Sequence, residues 1–208
     1  MLRILTAICL ASMFISQTAL AEESKGKSKD SDFARYSVNL SASLFGPAAN
    51  FGYNLNRKTT FVFGMGGFSG DAPIEPKIGD KTYKMSGDAS WVGFFVNHRP
   101  IKDAKWFRVV AGLGIGNIEN DLEDTADVNK TYKVVYNENP VGYLGVGFGV
   151  EAKKGFLWGV DIGFLQTGGA AITQTGTASS AETIDEFKDN WMFGSVLPNF
   201  QFSLGWGF

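Results

Sequence analysis

Period-two alternation of apolar and polar residues constrains the fold of this 208-residue chain more than any other feature. In seven segments one phase is apolar and uncharged, while the other is rich in glycine, serine and asparagine. Side chains of a β-strand point alternately to its two faces. These segments are therefore predicted strands, centred on residues 36–44, 49–55, 61–65, 107–115, 144–150, 158–164 and 196–208.

An eighth segment, residues 91–98, is apolar on both phases, which we interpret as a strand that contains a register slip. The eight segments have about the length that a tilted strand needs to span a bilayer. Their polar face is poor in bulky side chains, which fits the crowded lumen of a narrow barrel. The predicted fold is therefore all-β, an eight-stranded antiparallel up-and-down transmembrane β-barrel. No segment after residue 21 approaches the length of a transmembrane helix.

The connections between the predicted strands alternate in length. Short connections are predicted at 56–58, 99–105 and 153–155, and long ones at 70–81, 119–131 and 167–190. Short periplasmic turns and longer outer loops are typical of outer-membrane barrels. Aromatic rings are stabilised at both membrane–water interfaces. The predicted interface aromatics are Tyr53, Trp106 and Trp158 on the short-turn side and Tyr83, Tyr132 and Trp191 on the other.

The N-terminal residues predict export. Residues 1–21 contain Arg3, an apolar core and the small-x-small site Ala19-Leu20-Ala21, which indicate a signal peptide cleaved near Ala21. Residues 22–33 are predicted to form a disordered charged leader, and residues 34–208 the barrel domain. Cys9, the one cysteine, lies in the signal peptide, so the exported chain is expected to form no disulfide.

The C-terminal strand carries the most specific signal. Residues 199–208 alternate strictly and end on an aromatic residue. They resemble the terminal strand of bacterial outer-membrane β-barrels, whose alternate apolar residues and final aromatic are recognised by the barrel-assembly machinery. The resemblance assigns this role to Phe200, Phe202, Leu204, Trp206 and Phe208. Residues 140–208, especially 143–147, 160–164 and 185–188, are similar to a family of small outer-membrane β-barrel proteins of Gram-negative bacteria.

This resemblance implies a cellular location rather than an activity. The expected location is the outer membrane of a Gram-negative bacterium, and the barrel is expected to be a monomer. The expected partners are outer-membrane lipids, lipopolysaccharide and the barrel-assembly machinery, and no cofactor is expected. The 19 basic and 21 acidic residues give a net charge of −2, which lacks the basic excess of a nucleic-acid-binding protein.

The sequence offers little for catalysis or metal binding. His98 is the single histidine and has no serine or aspartate beside it, so the chain is predicted not to be an enzyme. Four acidic residues between 121 and 127 lack the spacing of a calcium loop, so a solvated loop without metal is expected. Residues 179–182 resemble a capping box, and Ile184, Phe187 and Trp191 follow at helical spacing. They predict a short helix on the barrel rim.

Three charged residues on the glycine-rich phase are the candidate functional residues. Arg108, Glu151 and Asp161 are predicted to pair across the lumen, because isolated charges are expensive in a dry interior. An eight-stranded barrel is just wide enough for side chains to fill. The predicted function is an integral outer-membrane barrel with a structural or surface-interaction role, its lumen plugged by side chains.

Two other functions stay open from the sequence. A narrow channel or conduit for small solutes, including hydrophobic ones, fits the many lumen glycines, and likeness in size to the OmpW family implies such a role. A soluble periplasmic barrel of the lipocalin type would instead place the apolar phase inside. The terminal aromatic strand, the aromatic belts and the loop asymmetry argue against that second alternative.

Overall fold

The computed structural model describes residues 32–72, 75–137, 139–177 and 184–208. The chain separates into the units Met1–Phe33 and Ala34–Phe208, and the second contains every element discussed below. The predicted signal peptide, all but two residues of the predicted leader, and the predicted capping box at 179–182 lie outside the described residues.

Eight strands, each antiparallel to its neighbours, form a closed ring. In ring order they are β1 (Tyr36–Ser43), β2 (Gly46–Asn54), β3 (Thr59–Asp71), β5 (Lys81–His98), β6 (Phe107–Asp124), β8 (Val141–Gly149), β9 (Gly155–Gln166) and β11 (Val196–Gly207). Outside the ring lie β4 (Lys77–Ile78), β7 (Thr131–Tyr136) and β10 (Ala171–Gln174). The ring closes where β11 pairs with β1, from Ser37 opposite Gly207 to Ser43 opposite Gln201. The predicted eight-stranded barrel is confirmed.

The outward face of the ring is apolar. On β9, Phe156, Trp158, Ile162 and Phe164 are each about half exposed. From Phe156 to Phe164 the strand rises about 26 Å, or about 20 Å along the axis of a barrel with the usual strand tilt. This is close to the roughly 25 Å apolar band of outer-membrane barrels. The apolar phase therefore lies outside, which is the opposite of the lipocalin-type alternative.

Strand β5 pairs in unbroken register on both sides, so the predicted register slip at residues 91–98 is wrong. Its ladder with β3 runs without interruption from Thr59 opposite His98 to Asp71 opposite Ser86. The strand is apolar on both phases for another reason. Val92 and Phe94 face outward, while Trp91 and Phe95 line the lumen.

The two longest strands continue beyond the apolar belt. β5 and β6 each have 18 residues. Beyond Gly114, β6 leaves β8 and pairs with β7 from Ile118 to Glu123. Residues 119–124 were predicted as part of a loop, and this prediction is wrong because β7 supplies them with a partner strand. On their outer face Lys133 Nζ contacts Glu119 Oε2 at 2.7 Å, as expected for a surface in water.

A core of buried apolar residues lies in this extension. The three strands outside the ring, the ends of β5 and β6, and helix α1 (Ile184–Lys188) surround a cluster that we call the cap core. Its members are Ile78, Tyr83, Leu122, Tyr132, Val134, Tyr136, Ile172, Phe187, Phe193 and Leu197. Tyr83 and Tyr132 are almost fully buried there, so their prediction as interface aromatics is wrong.

Helix α1 lies in the connection where a short helix was predicted. It buries Phe187 completely, and the Phe187 ring lies 4.6 Å from that of Tyr132, measured between centroids. Trp191 follows the helix in a turn rather than extending it. Among the described residues, no helix is both long enough and apolar enough to cross a membrane.

Candidate functional site

A buried bidentate ion pair lies in the barrel lumen. Arg108 on β6 and Asp161 on β9 are each 7% exposed. Arg108 Nε donates to Asp161 Oδ1 at 2.9 Å, and Nη2 donates to Oδ2 at 2.8 Å. Strand β8 lies between them and presents Gly147 at the same level, opposite both residues. The pair therefore forms across a strand that has no side chain in the way, in the geometry that is strongest for arginine and carboxylate.

Glu151, the third residue of the predicted lumen network, contacts other partners. Its Oε1 lies 3.6 Å from Lys105 Nζ and 3.9 Å from Arg57 Nη1. Because Glu151 lies two residues after Gly149, the last residue of β8, it lies beyond the ladder, at the short-turn end of the lumen. The structure thus brings Arg108 and Asp161 together and places Glu151 among the basic residues of the short turns.

Arg99 also lies at this end and was missed in the sequence. It is 5% exposed, and its guanidinium donates to the carbonyls of Lys105 at 2.8 Å and Val150 at 2.7 Å. Burial lowers the pKa of Arg99 to about 10, and the charge of Arg108 acts in the same direction. The group is still protonated at neutral pH. Its position two residues after Asn97, on the lumen phase of β5, is the signal that could have identified it.

The lumen has a polar wall and an aromatic wall. The polar wall is formed by Ser37, Asn39, Asn50, Asn54, Gln201 and Ser203, and the aromatic wall by Trp91, Phe95 and Tyr143. A cavity of about 180 Å³ lies between them. This is below the roughly 300–1,000 Å³ of typical small-molecule pockets. Asn199 lines the same cavity, and its buried Oδ1 accepts no hydrogen bond from the described protein atoms.

The lumen glycines make room for large side chains of their own strand or of strands one or two positions away in the ring. A Cβ on Gly93 would lie 2.6 Å from Phe95 Cζ, and one on Gly163 would lie 2.6 Å from the Tyr143 hydroxyl. A Cβ on Gly159 would lie 2.5 Å from Arg108 Nη2. The glycine-rich phase therefore does not describe an empty pore, because much of the space that it leaves is filled by rings and a guanidinium.

Two neighbouring glycines provide a test of this packing. We expect Gly112→Ala to destabilise the barrel by about 1–3 kcal/mol, as overpacking does, because a Cβ there would overlap the Phe95 ring and lie 2.5 Å from the Phe94 carbonyl oxygen. At Gly114 the nearest atom is the Val92 carbonyl oxygen, at 3.5 Å, so Gly114→Ala should change stability by less than about 0.5 kcal/mol. Denaturant unfolding of the two variants would measure the difference, and equal effects would contradict the packing described here.

At the opposite end, the cap core reaches across the mouth of the ring. Leu122 from β6 and Leu197 from β11 belong to it, and these strands are not neighbours in the ring. Phe45, from the turn between β1 and β2, packs against the same core. Its carbonyl oxygen accepts a hydrogen bond from Trp91 Nε1 on β5 at 3.4 Å. This bond passes over β3, which lies between β2 and β5 in the ring.

His98 has a structural environment. Its Nδ1 lies 3.0 Å from the Thr59 hydroxyl, and Thr59 is 2% exposed. A hydroxyl so deeply buried offers no approach to a substrate. Within the described ranges, no three histidine, cysteine, aspartate or glutamate side chains are grouped so that they could hold a metal ion.

Comparison with known proteins bears on the architecture. Neither a family model nor a curated protein matches the chain. The crystal structure of CarO from Acinetobacter baumannii is similar, with a TM-score of 0.62 and 16% identity over 84% of this chain and 98% of CarO. That of CarO2 from the same organism has a TM-score of 0.66 and 13% identity over 86% of this chain and all of CarO2. The fold is that of an outer-membrane β-barrel. At these identities the likeness concerns the fold alone.

Four of the predicted interface aromatics lie outside the cap core, and three of these four are exposed. Trp106 and Trp158 are 56% and 45% exposed near the short turns, and Trp191 is 60% exposed on the side of the cap core. Tyr53 is half-buried, and its ring centroid lies 5.7 Å from that of Tyr36. The predicted assembly residues Phe200, Phe202, Leu204, Trp206 and Phe208 all face outward.

Proposed function

We propose that this protein is an integral outer-membrane β-barrel with a structural or surface-interaction role and a lumen closed to solutes. The cap core carries the proposal, because it packs side chains from well-separated parts of the ring over one mouth of the barrel. The Arg108–Asp161 pair and the lumen rings occupy the space beneath it. Such a protein would present its folded cap, rather than a pore, to its surroundings. No catalytic role is part of this proposal.

The cellular location and the partners of the protein belong to the same proposal. Residues 1–21 would direct export, with cleavage near Ala21, and the apolar belt would then contact outer-membrane lipids. The cap side would face lipopolysaccharide, since the longer connections of outer-membrane barrels lie outside the cell. The barrel would be a monomer without a cofactor.

Conductance of the purified full chain in a planar bilayer tests the closed lumen. We expect little current from the wild-type protein. The variant F187D/F193D places two charges in the cap core and should open fluctuating currents, whereas Val128→Asp, at a residue 68% exposed, should leave the barrel closed. A large, stable wild-type conductance would contradict the proposal.

A narrow conduit for small solutes is the second candidate. The cavity of about 180 Å³ and the unpaired Oδ1 of Asn199 favour it, because both are compatible with water or a small solute inside the lumen. Large wild-type conductance in the bilayer experiment would favour this candidate.

Phe208 gives a prediction about assembly. The Phe208 ring is 53% exposed, and the Phe208 backbone exchanges hydrogen bonds with Tyr36 at 2.9 and 3.0 Å. We expect a chain that ends at Gly207 to be exported but to assemble poorly. Phe208→Ala removes the ring and keeps the backbone hydrogen bonds, so it should show the same defect if the ring is the assembly signal. Phe208→Tyr keeps an aromatic ring and should assemble normally. The measurement is the fraction of heat-modifiable barrel in the outer membrane. Normal assembly of Phe208→Ala would contradict the proposed role of the ring.

A further inference from the structure

Three short turns among the described residues lie at one end of the ring and are joined by hydrogen bonds. We call these turns, at residues 55–58, 99–106 and 150–154, the short-turn platform. Arg99 donates to a carbonyl of the turn between β5 and β6, at Lys105, and to a carbonyl of the turn between β8 and β9, at Val150. The Arg99 backbone amide donates to the carbonyl of Lys58, in the turn between β2 and β3, at 2.8 Å. Glu151 contacts basic side chains of two of these turns. These contacts therefore hold the backbones of the three turns together at this end of the ring.

This platform is strongly basic. The turns at residues 55–58, 99–106 and 150–154 contain seven basic residues, Arg57, Lys58, Arg99, Lys102, Lys105, Lys153 and Lys154, against the acidic Asp103 and Glu151. Lys102, Lys153 and Lys154 are exposed, and they lie on the two turns that Arg99 joins. Basic side chains near a membrane surface attract anionic lipids, by about 1 kcal/mol each, or roughly a fivefold change in affinity.

An aromatic surface lies at the ends of β6 and β8, which flank the two turns that carry these lysines. Trp106 stacks on Phe148, with ring centroids 5.7 Å apart and planes inclined by 15°, and Phe107 packs 6.0 Å from Phe148. The Trp106 carbonyl also accepts a hydrogen bond from the Gly149 amide at 2.8 Å, which joins the two strands here. Trp106 is 56% exposed at the edge of the apolar belt. Tryptophan at this level occupies the boundary between headgroups and acyl chains.

We infer that the short-turn platform binds the phosphate of an anionic phospholipid in the leaflet that it faces. The lysines on the two joined turns attract the phosphate, while Trp106 and Phe148 contact the glycerol and the first part of the acyl chains. Arg99 is a positioning residue that holds the two turns together. This inference rests on the proposed membrane location and adds a preferred lipid to it.

Native mass spectrometry of the full-length folded protein in detergent, titrated with phosphatidylglycerol or phosphatidylcholine, tests the inference. We expect the wild-type protein to prefer phosphatidylglycerol by about tenfold or more. The variant K102Q/K153Q/K154Q should lose most of this preference. The matched variant K77Q/K84Q/K188Q, with three exposed lysines of the cap side, should keep it.

Several outcomes would overturn the inference. They are equal losses in the two triple variants, no wild-type preference, or complete displacement of the lipid by soluble glycerol phosphate at equal concentration. Salt from about 50 to about 500 mM increasingly screens the attraction between lysine and phosphate. A wild-type preference that does not weaken over this range would also overturn the inference. Insertion of all three proteins into phosphatidylcholine vesicles is measured separately, because failure there would count against the proposed membrane location instead.

Discussion

Leu113→Arg is expected to destabilise the barrel by up to about 3 kcal/mol, because an arginine on the lipid face costs about 2–4 kcal/mol at the bilayer midplane and less toward the cap side, where Leu113 lies level with Gln166. Leu113 lies in the part of β6 that pairs with both β5 and β8, and its side chain is 37% exposed on the outer face. Denaturant unfolding in lipid vesicles, followed by heat-modifiability, would measure the loss of stability.

Gly114→Ser is the control one position further along the same strand. Gly114 lines the lumen, and a Cβ there meets no atom closer than 3.5 Å, so the serine hydroxyl can lie in the polar cavity. We expect a change of less than about 0.5 kcal/mol. A milder effect of Leu113→Arg than of Gly114→Ser would contradict a lipid-facing exterior.

Breaking the lumen ion pair is expected to have an effect at least as large. Arg108→Ala should cost about 3–5 kcal/mol, because it leaves the Asp161 carboxylate buried without its bidentate partner. Asp161→Ala should cost more than Arg108→Ala. The charges of Arg99 and Arg108 already repel each other, and Asp161 is one of the carboxylates that offset this repulsion.

A double-mutant cycle measures this coupling. The variant R108A/D161A should be more stable than Asp161→Ala, because it leaves no unpaired member of the pair. Glu151→Gln is the control for a general loss of negative charge, and it should cost less, because the Glu151 side chain is 22% exposed and its contacts are longer than 3.5 Å. Additive effects of Arg108→Ala and Asp161→Ala would contradict a coupled pair.

The ring could be predicted from the sequence because its physical signal is local. In a strand with lipid on one side and a narrow lumen on the other, each residue reports its face by its polarity, as Leu113 and Gly114 do. The strand at residues 91–98 obscured this signal, because Trp91 and Phe95 are apolar residues that fill space inside. Their counterparts are glycines on neighbouring strands, and no local pattern indicates such pairing.

The cap core and the platform could not be predicted in the same way. Tyr132, Val134 and Tyr136 lie on one phase and could have identified β7. The segment is only six residues long, however, and the apolar Val135 on the other phase weakens the alternation. The partners of Arg99 are backbone carbonyls, which every residue has, so the sequence gives no sign of them. Glu151 was placed with Arg108 because both lie on the lumen phase, and the end of β8 at Gly149 separates them.

The ring is closed by its first and last strands, and this has a consequence for how the protein is made. Ser37 pairs with Gly207 across almost the whole length of the barrel domain. Until β11 is synthesised and delivered, every partial chain has two open sheet edges, whose unpaired amides and carbonyls cannot be left in lipid. Productive insertion therefore cannot proceed strand by strand in the bare bilayer. It has to wait for β11, because β11 supplies the strand that pairs with both β9 and β1 and so closes the ring.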